Sequence, residues 1–578
     1  MKKHVSITIL IAVCLALVVS VQPSQVQAQN VSAAQRLPSK TYAYFSINSV
    51  KDFKKHFNAS RTGKLLQDKS LAEFKKQIDV MLKKASAELE KNVGIKMPDL
   101  FNLPQGELAV AFAQPKGKPP AGVLFLNYGD HEETVEKILA TATKELKANG
   151  AKKSSKEIAD TRVTVYAIPQ GSSDQTDRKT QEIAYFVKDS YFVLSHRVSM
   201  IEAVLARWNG RHQDTFANST NFKHVHSRSR AADSDPQVFF YVNPIDLVKA
   251  AITMTDARNQ QAAMAMGFIP MFGLDKLKSF GGGMSFTVGE YDTISKVVVQ
   301  VDMPPTGTLE IFTFPATSLK PPIWVSEKVA SYSGANWDFQ KAYSAVAATV
   351  NKIPIFGPGA FEKKIDDLAT NPNGPQIHIK KDFVDNLTGK IHILSKPADG
   401  GNPASAKMLF ALGTKDEKKM NGVIDKLTKL PGFPGTTRVF QGVTIYEIPI
   451  GAAVGGGGNA LLGVAVAHGN LMIASDVTMV EEAVRANYGN NTLANSADYK
   501  KYASRFPAKT SMISFAKQET QIKSVYEMFR TTGIPGIPIE LDFSKLPPFE
   551  KIQKYFAASG GYAIPDENGF TSITFSLK

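Results

Sequence analysis

The chain has 578 residues, with 68 Lys+Arg against 53 Asp+Glu and a formal net charge of +15. Hydrophobic residues at 43% and charged residues at 21% are ordinary globular values, which excludes a collagenous, mucin-like or wholly disordered chain. A single apolar run of spanning length excludes a polytopic membrane protein.

That run opens the chain. Lys2 and Lys3 precede an almost unbroken apolar stretch from Val5 to Val21, Pro23 begins a polar region, and Val26-Gln27-Ala28 offers compact residues to a signal peptidase. We read residues 1–28 as a signal peptide cut between Ala28 and Gln29, followed by a short mature tail, 29–36. Loss of Lys2 and Lys3 lowers the formal charge from +15 to +13. An uncleaved N-terminal anchor is the alternative, and the mature chain is expected to carry no further span. Cys14 is the sole cysteine. Val13 before it and apolar sequence after it do not suit a lipidation site. The mature chain therefore has no thiol, hence no disulfide, cysteine zinc site or cysteine nucleophile. A bacterial periplasmic or extracellular setting follows, since large secreted eukaryotic proteins usually carry disulfides.

Periods of 2 and 3.6 then alternate, which predicts an α+β fold. Strands are expected at 107–112, 122–126, 162–168, 183–187 and 191–195, the last two joined by Lys188-Asp189-Ser190 as an antiparallel hairpin. Between them, Asp130 with Glu133 resembles a capping box. It precedes the apolar stripe Val135, Ile138, Leu139, Ala142 and Leu146, with Gly150 as the stop. A helix at 200–207 and a strand at 237–242 follow. Met254, Met264, Met266 and Met271, with Phe268 and Phe272, read as core or inter-copy packing, with a docking patch for an apolar partner as the alternative.

The order of elements then repeats. Val163-Thr164-Val165-Tyr166-Ala167-Ile168-Pro169 recurs as Val443-Thr444-Ile445-Tyr446-Glu447-Ile448-Pro449. Ala217-Asn218-Ser219 with Phe222-Lys223 recurs as Ala494-Asn495-Ser496 with Tyr499-Lys500. Gly106-Glu107-Leu108 recurs as Gly389-Lys390-Ile391, and Gly282-Gly283 as Gly560-Gly561. Thr414, Glu417, Met420, Val423, Ile424 and Leu427 repeat the capped helix. We read two tandem diverged copies, 37–320 and 326–578, each a largely antiparallel sheet backed by helices.

Chemical motifs are sparse. Gly455–Gly458 lacks a following Gly-Lys-Ser/Thr, so a phosphate loop is unsupported; it and 171–180 read as hairpin loops. Ser514-Phe515-Ala516-Lys517 fits Ser-x-x-Lys but falls in an expected strand. His224-Val225-His226 would share a face on a strand, yet its repeat match makes it helical, where residues two apart diverge. No metal, cofactor or catalytic residue is assigned. Lys223, Arg228 and Arg230, matched by Lys500, Lys501 and Arg505, form the densest local basic clusters and are candidates for polyanion binding. Anionic polysaccharide, wall polymer or a lipid surface is the expected partner class, and nucleic acid is not.

Leu37-Pro38-Ser39-Lys40-Thr41-Tyr42-Ala43-Tyr44-Phe45, the segment Thr62–Asp68 with Phe74, and Leu493–Ser496 with Tyr499 give the chain a family likeness. It resembles secreted bacterial proteins with a long domain of unknown function, found in planctomycete and cyanobacterial genomes. The resemblance implies export and fold, and brings no catalytic residues with it. The expectation is an exported, non-catalytic envelope or extracellular protein that binds or organises a partner or anionic polymer. The alternative is an envelope hydrolase with a site formed between the two copies.

Overall fold

The computed structural model describes residues 31–93, 96–169, 180–254, 260–397, 406–449, 461–533 and 541–578. The expected signal peptide, its Ala28–Gln29 junction, Cys14, the glycine run 455–458 and segment 171–179 lie outside these residues. The chain divides into two compact units: residues 1–257 with Lys278–Gln300 and Lys578, and residues 258–277 with 301–577. Arg258–Leu277 and the stretch 301–320, expected in the first copy, therefore group with the second unit.

In the first unit, strands β1 (Thr41–Ile47), β2 (Leu108–Ala113), β3 (Ala121–Asn127), β4 (Lys152–Ile158), β5 (Thr161–Pro169), β6 (Thr180–Lys188), β7 (Tyr191–Ser195), β8 (Val238–Val242), β9 (Leu277–Phe286) and β10 (Tyr291–Val301) form one sheet. Its order is β10-β9-β8-β1-β2-β3-β7-β6-β5-β4, and the pairs from β9 to β4 are antiparallel. The helices that position the site are α1 (Ala33–Arg36), α2 (Val50–Ala59), α3 (Glu132–Ala148), α4 (Val198–Leu205) and α5 (Thr220–Ser229). Ala109, Ala111 and Ala113 of β2 alternate onto one face and join a buried cluster with Ile201 and Val204 of α4 and Phe222 and Val225 of α5. Ile47, Leu108 and Leu126 belong to a second cluster with Phe53 of α2 and Val135 of α3.

The second unit contains β11 (Ser331–Asn336), β12 (Leu387–Lys396), β13 (Lys407–Thr414), β14 (Thr436–Phe440), β15 (Val443–Pro449), β16 (Leu461–Ala467), β17 (Asn470–Ala474), β18 (Met512–Ala516), β19 (Ser559–Asp566) and β20 (Gly569–Leu577). Their order is β20-β19-β18-β11-β12-β13-β17-β16-β15-β14, the same connectivity strand for strand. Helices α6 (Phe339–Lys352), α7 (Glu417–Thr428), α8 (Val477–Arg485) and α9 (Ala497–Ala503) interrupt it. Val163–Pro169 and Val443–Pro449 lie in β5 and β15, one strand in from the β4 and β14 ends of the two sheets. The glycine match shifts by one residue. Gly281 pairs with Tyr241 as Gly560 pairs with Phe515, and a Cβ at Gly281 would approach Phe240 O to 2.6 Å.

Three local expectations change. The N-cap of α3 is His131, with no side-chain cap, so Asp130 does not form the expected box. The N-cap of α7 is Asp416, which accepts from Lys419 N at 3.0 Å, while Thr414 ends β13. Helix Gln260–Met271 does not bury its described side chains along its whole length. Met264 is 54% exposed and Met254 53%, whereas Ile269 is buried. β4 and β14 are exposed along most of their length; Lys152, Lys153 and Lys156 line β4, and Arg438 of β14 pairs with Glu447 and Glu481. Among the described residues no helix is long and apolar enough to cross a membrane.

Candidate binding site in the first unit

A cavity of about 1180 Å³ lies over one face of the first sheet. Five neighbouring strands supply residues from their inner face or ends: Phe239 of β8, Tyr44 and Ser46 of β1, Glu107 before β2, Asn127 of β3 and Tyr191 of β7. α1 contributes Ala34 and Gln35, and α5 contributes Phe222 and His226. Asp52, Asp130 and Asp235 are exposed lining residues.

Glu107 is the centre of a buried polar network. Ala33 N–H donates to both of its oxygens, at 2.8 Å to Oε2 and 3.1 Å to Oε1. Tyr44 Oη donates to Oε1 at 3.3 Å and Tyr191 Oη to Oε2 at 3.1 Å. Burial pushes the Glu107 carboxyl above the usual range, opposed by the Ala33 N–H, by Tyr191 and by the positive charge of Arg36. The same burial, with the Glu107 charge beside them, raises both tyrosine hydroxyls. Arg36 is itself buried, which lowers its pKa. Its guanidinium lies 3.6 Å from the centre of the Trp208 ring and 4.5 Å from that of Tyr191, and its Nε donates to Trp208 O at 3.3 Å. Trp208 Nε1 in turn donates to Asp189 at 2.7 Å. The network fastens α1 to the sheet and thereby fixes one wall of the cavity.

Glycine at 106 is required by close approach, since a Cβ there would come 2.7 Å from the Asn127 side chain. The N–H groups of Gln105 and Gly106 converge on Asn127 O, and Asn127 N donates to Glu107 O at 2.8 Å. This holds the start of β2 against the end of β3.

The second unit differs at the corresponding place. Matching the Ile47–Leu108 pair to the Ala335–Ile391 pair puts Tyr332 where Tyr44 stands and an exposed Lys390 where Glu107 stands. The buried Tyr332 hydroxyl meets His392 Nδ1 at 2.9 Å, and the Trp324 ring stands edge-on to His392. Burial, with Lys390 nearby, lowers the His392 pKa to about 4.

The basic residues singled out by sequence lie on or just beyond α5 and α9. Ser219 caps α5 and Ser496 caps α9, each accepting from the N–H three residues on. Lys223 and Lys500 are each the fourth residue after the cap, and both are exposed, as is Lys501. Arg230 is drawn into an ion pair with Asp235, Nε to Oδ1 3.2 Å, and Arg228 is half-buried. Half-buried Arg505 folds back on Lys501 O at 2.5 Å and Ser504 Oγ at 2.7 Å. The three exposed lysines, rather than the three arginines, are the open cations of the two clusters.

His224-Val225-His226 falls on helix α5, with Val225 buried between the histidines. His226 stacks on Phe222 at 5.2 Å and burial lowers its pKa. Among the described residues no group of three His, Cys, Asp or Glu is placed to hold a metal ion. Ser514 lies in β18 as expected, while Lys517 Nζ donates to Glu327 O at 2.6 Å. The cavity itself was not read from sequence; its lining runs from Ser32 to Phe239, and only the out-of-place charge of Glu107 between Gly106 and an apolar strand hinted at it.

No curated protein and no solved structure matches the chain. Residues 9–263, a span that includes every residue lining the cavity, match a family described as a protein of unknown function (DUF3352).

Proposed function

We propose that the protein is exported from a bacterial cell and acts by binding, using exposed lysines to hold an anionic polymer at the envelope or outside it. The two-copy reading belongs to this proposal, supported by the shared strand order and the shared Ser-x-x-aromatic-Lys helix start. The observation that carries it is the placement of Lys223 and Lys500. Each stands exposed at the same turn of a corresponding helix, with the residue before it, Phe222 or Tyr499, buried as an anchor. Such a lysine is held at a fixed point on the surface while its ammonium stays in water. A mature charge of +13 would draw polyanions toward both positions, and salt would screen the attraction. Glu107 supports binding rather than turnover, because its oxygens are engaged by Ala33, Tyr44 and Tyr191.

The test is retention of the mature chain on immobilised acidic polysaccharide across a salt series. Replacing Lys223, Lys500 and Lys501 by glutamine is expected to lower the salt needed for release. Retention that ignores both salt and these replacements would overturn the reading. Export has its own measurement. Intact mass of the secreted or periplasmic protein should place Gln29 at the N-terminus, and a full-length membrane-embedded chain would refute it.

A further inference from the structure

We propose that an uncharged apolar tip on the second unit inserts into the interface of a lipid bilayer, so that the chain rests on a membrane without crossing it. The inference uses none of the lysines assigned to the anionic polymer.

Two segments of the second unit build the tip. Helix Gln260–Met271 aligns Met264, Phe268 and Met271 at the i, i+4 and i+7 spacing of one face. Met264 and Phe268 are exposed, while Ile269, turned away from that face, is buried. The stripe ends at Met271, whose carbonyl accepts from Lys352 Nζ at 3.3 Å. Lys352 closes α6, and the next residue begins the turn Ile353-Pro354-Ile355-Phe356-Gly357-Pro358-Gly359. Phe356 N and Gly357 N both donate to Ile353 O, at 3.0 and 3.3 Å, which places Pro354 and Ile355 at the apex. Ile355 is 85% exposed and Phe356 59%. Gly357 and Gly359 take φ of 77° and 74°, and a Cβ at either would meet nothing within 4 Å. The same open space surrounds Gly267 on the helix. The tip stands clear of its own protein.

Shape and charge choose the occupant. No charged residue falls between Gln260 and Leu274 or between Ile353 and Phe361, in a chain that is 21% charged. A groove would suit a helix or an extended peptide, whereas a projecting Ile-Phe pair suits a medium that closes round it. At the rim, exposed Lys352, Lys363 and Lys364 are balanced by exposed Glu362, Asp366 and Asp367. Asn351 Nδ2 holds the Glu362 carboxylate at 2.7 Å. A balanced rim around an uncharged tip is complementary to zwitterionic headgroups over hydrocarbon, and lysine stems can lift their ammonium groups to the phosphates. Phe312 is also 63% exposed, but it stands at the opposite end of α6, where Trp337 Nε1 donates to Ile311 O at 2.6 Å. It lies outside the tip and serves as a control.

Phosphatidylcholine vesicles in about 1 M salt are the probe, since charges more than roughly 3 Å apart are screened there. The chain from Gln29 onward should co-sediment with them. Ile355→Ser combined with Phe356→Ser should weaken partitioning about ten- to a hundredfold. Phe312→Ser, and separately the glutamine replacements at Lys223, Lys500 and Lys501, should leave it within about twofold. All of these side chains are exposed, and unchanged melting curves will show that the variants fold. The emission of a Phe356→Trp variant should shift to the blue when vesicles are added, while that of the parent does not. No co-sedimentation, binding seen only at low salt, or indifference to the double variant would each overturn the proposal. So would self-association of the parent that the double variant loses while vesicles are ignored, because the tip would then belong to a second copy.

Discussion

Replacing Glu107 by alanine is expected to lower the stability of the first unit by about 3–5 kcal/mol, the usual cost of stripping the partner from a buried charge. Arg36 would then lie buried against Trp208 and Tyr191 with only Asp189 left as a neighbouring carboxylate, and two tyrosine hydroxyls and the Ala33 N–H would lose their acceptor. For a unit of this size the melting temperature should fall by roughly 10 °C. Scanning calorimetry measures this, and Trp208 fluorescence localises it. Glu107→Gln keeps an acceptor for Ala33 and should cost less, about 1–2 kcal/mol. The glutamine variant also isolates a pH effect. The folded-state pKa of Glu107 lies above its unfolded value, so the folded state holds the proton longer. Stability from this group is full at low pH and is lost as pH rises from the ordinary glutamate range to the raised value. In the glutamine variant that decline should vanish. An alanine variant as stable as the parent would show that the network is not what fastens α1.

The second unit should respond to acid with the opposite sign. His392 is buried and neutral, with its pKa lowered to about 4 against an ordinary 6.5. The unfolded chain takes up a proton there before the folded chain does. Stability is therefore lost as pH falls from about 6.5 toward 4, by about 3 kcal/mol in all. His392→Phe should flatten the acid limb of the stability profile, at the cost of the Tyr332 partner. Denaturant melts between pH 4 and 7 test this, and an unchanged acid limb in the variant would refute it.

The sheet strands were legible where one face is apolar and the other wet. Tyr191–Ser195 was read to the residue, and 162–168 lies within β5, because alternation and the Lys188-Asp189-Ser190 turn fix their ends. β4 was invisible. Its sequence, Lys-Lys-Ser-Ser-Lys-Glu-Ile, has no buried face to leave an apolar signature, and its strand character comes from pairing with β5. Helix α3 was found by its stripe but its cap was misplaced, because Asp130, Glu132 and Glu133 all suit a helix start. The cavity could not be read at all. Its parts lie more than 200 positions apart in the chain, and no two lining residues form a spaced motif. The basic clusters were legible as composition, but pairing through Asp235 and refolding of Arg505 onto its own turn depend on geometry.

The charged ends at β4 and β14 have a consequence for how such a chain can grow and pack. A bare edge offers unpaired backbone to any passing strand, and adding a flat apolar strand there invites endless recruitment of further copies. Lys152, Lys153 and Lys156 on one edge strand, and the ion-paired Arg438 on the other, are of the kind that discourages this pairing. Replacing the three lysines with threonine would raise strand propensity and remove charge together, converting a terminator into a template.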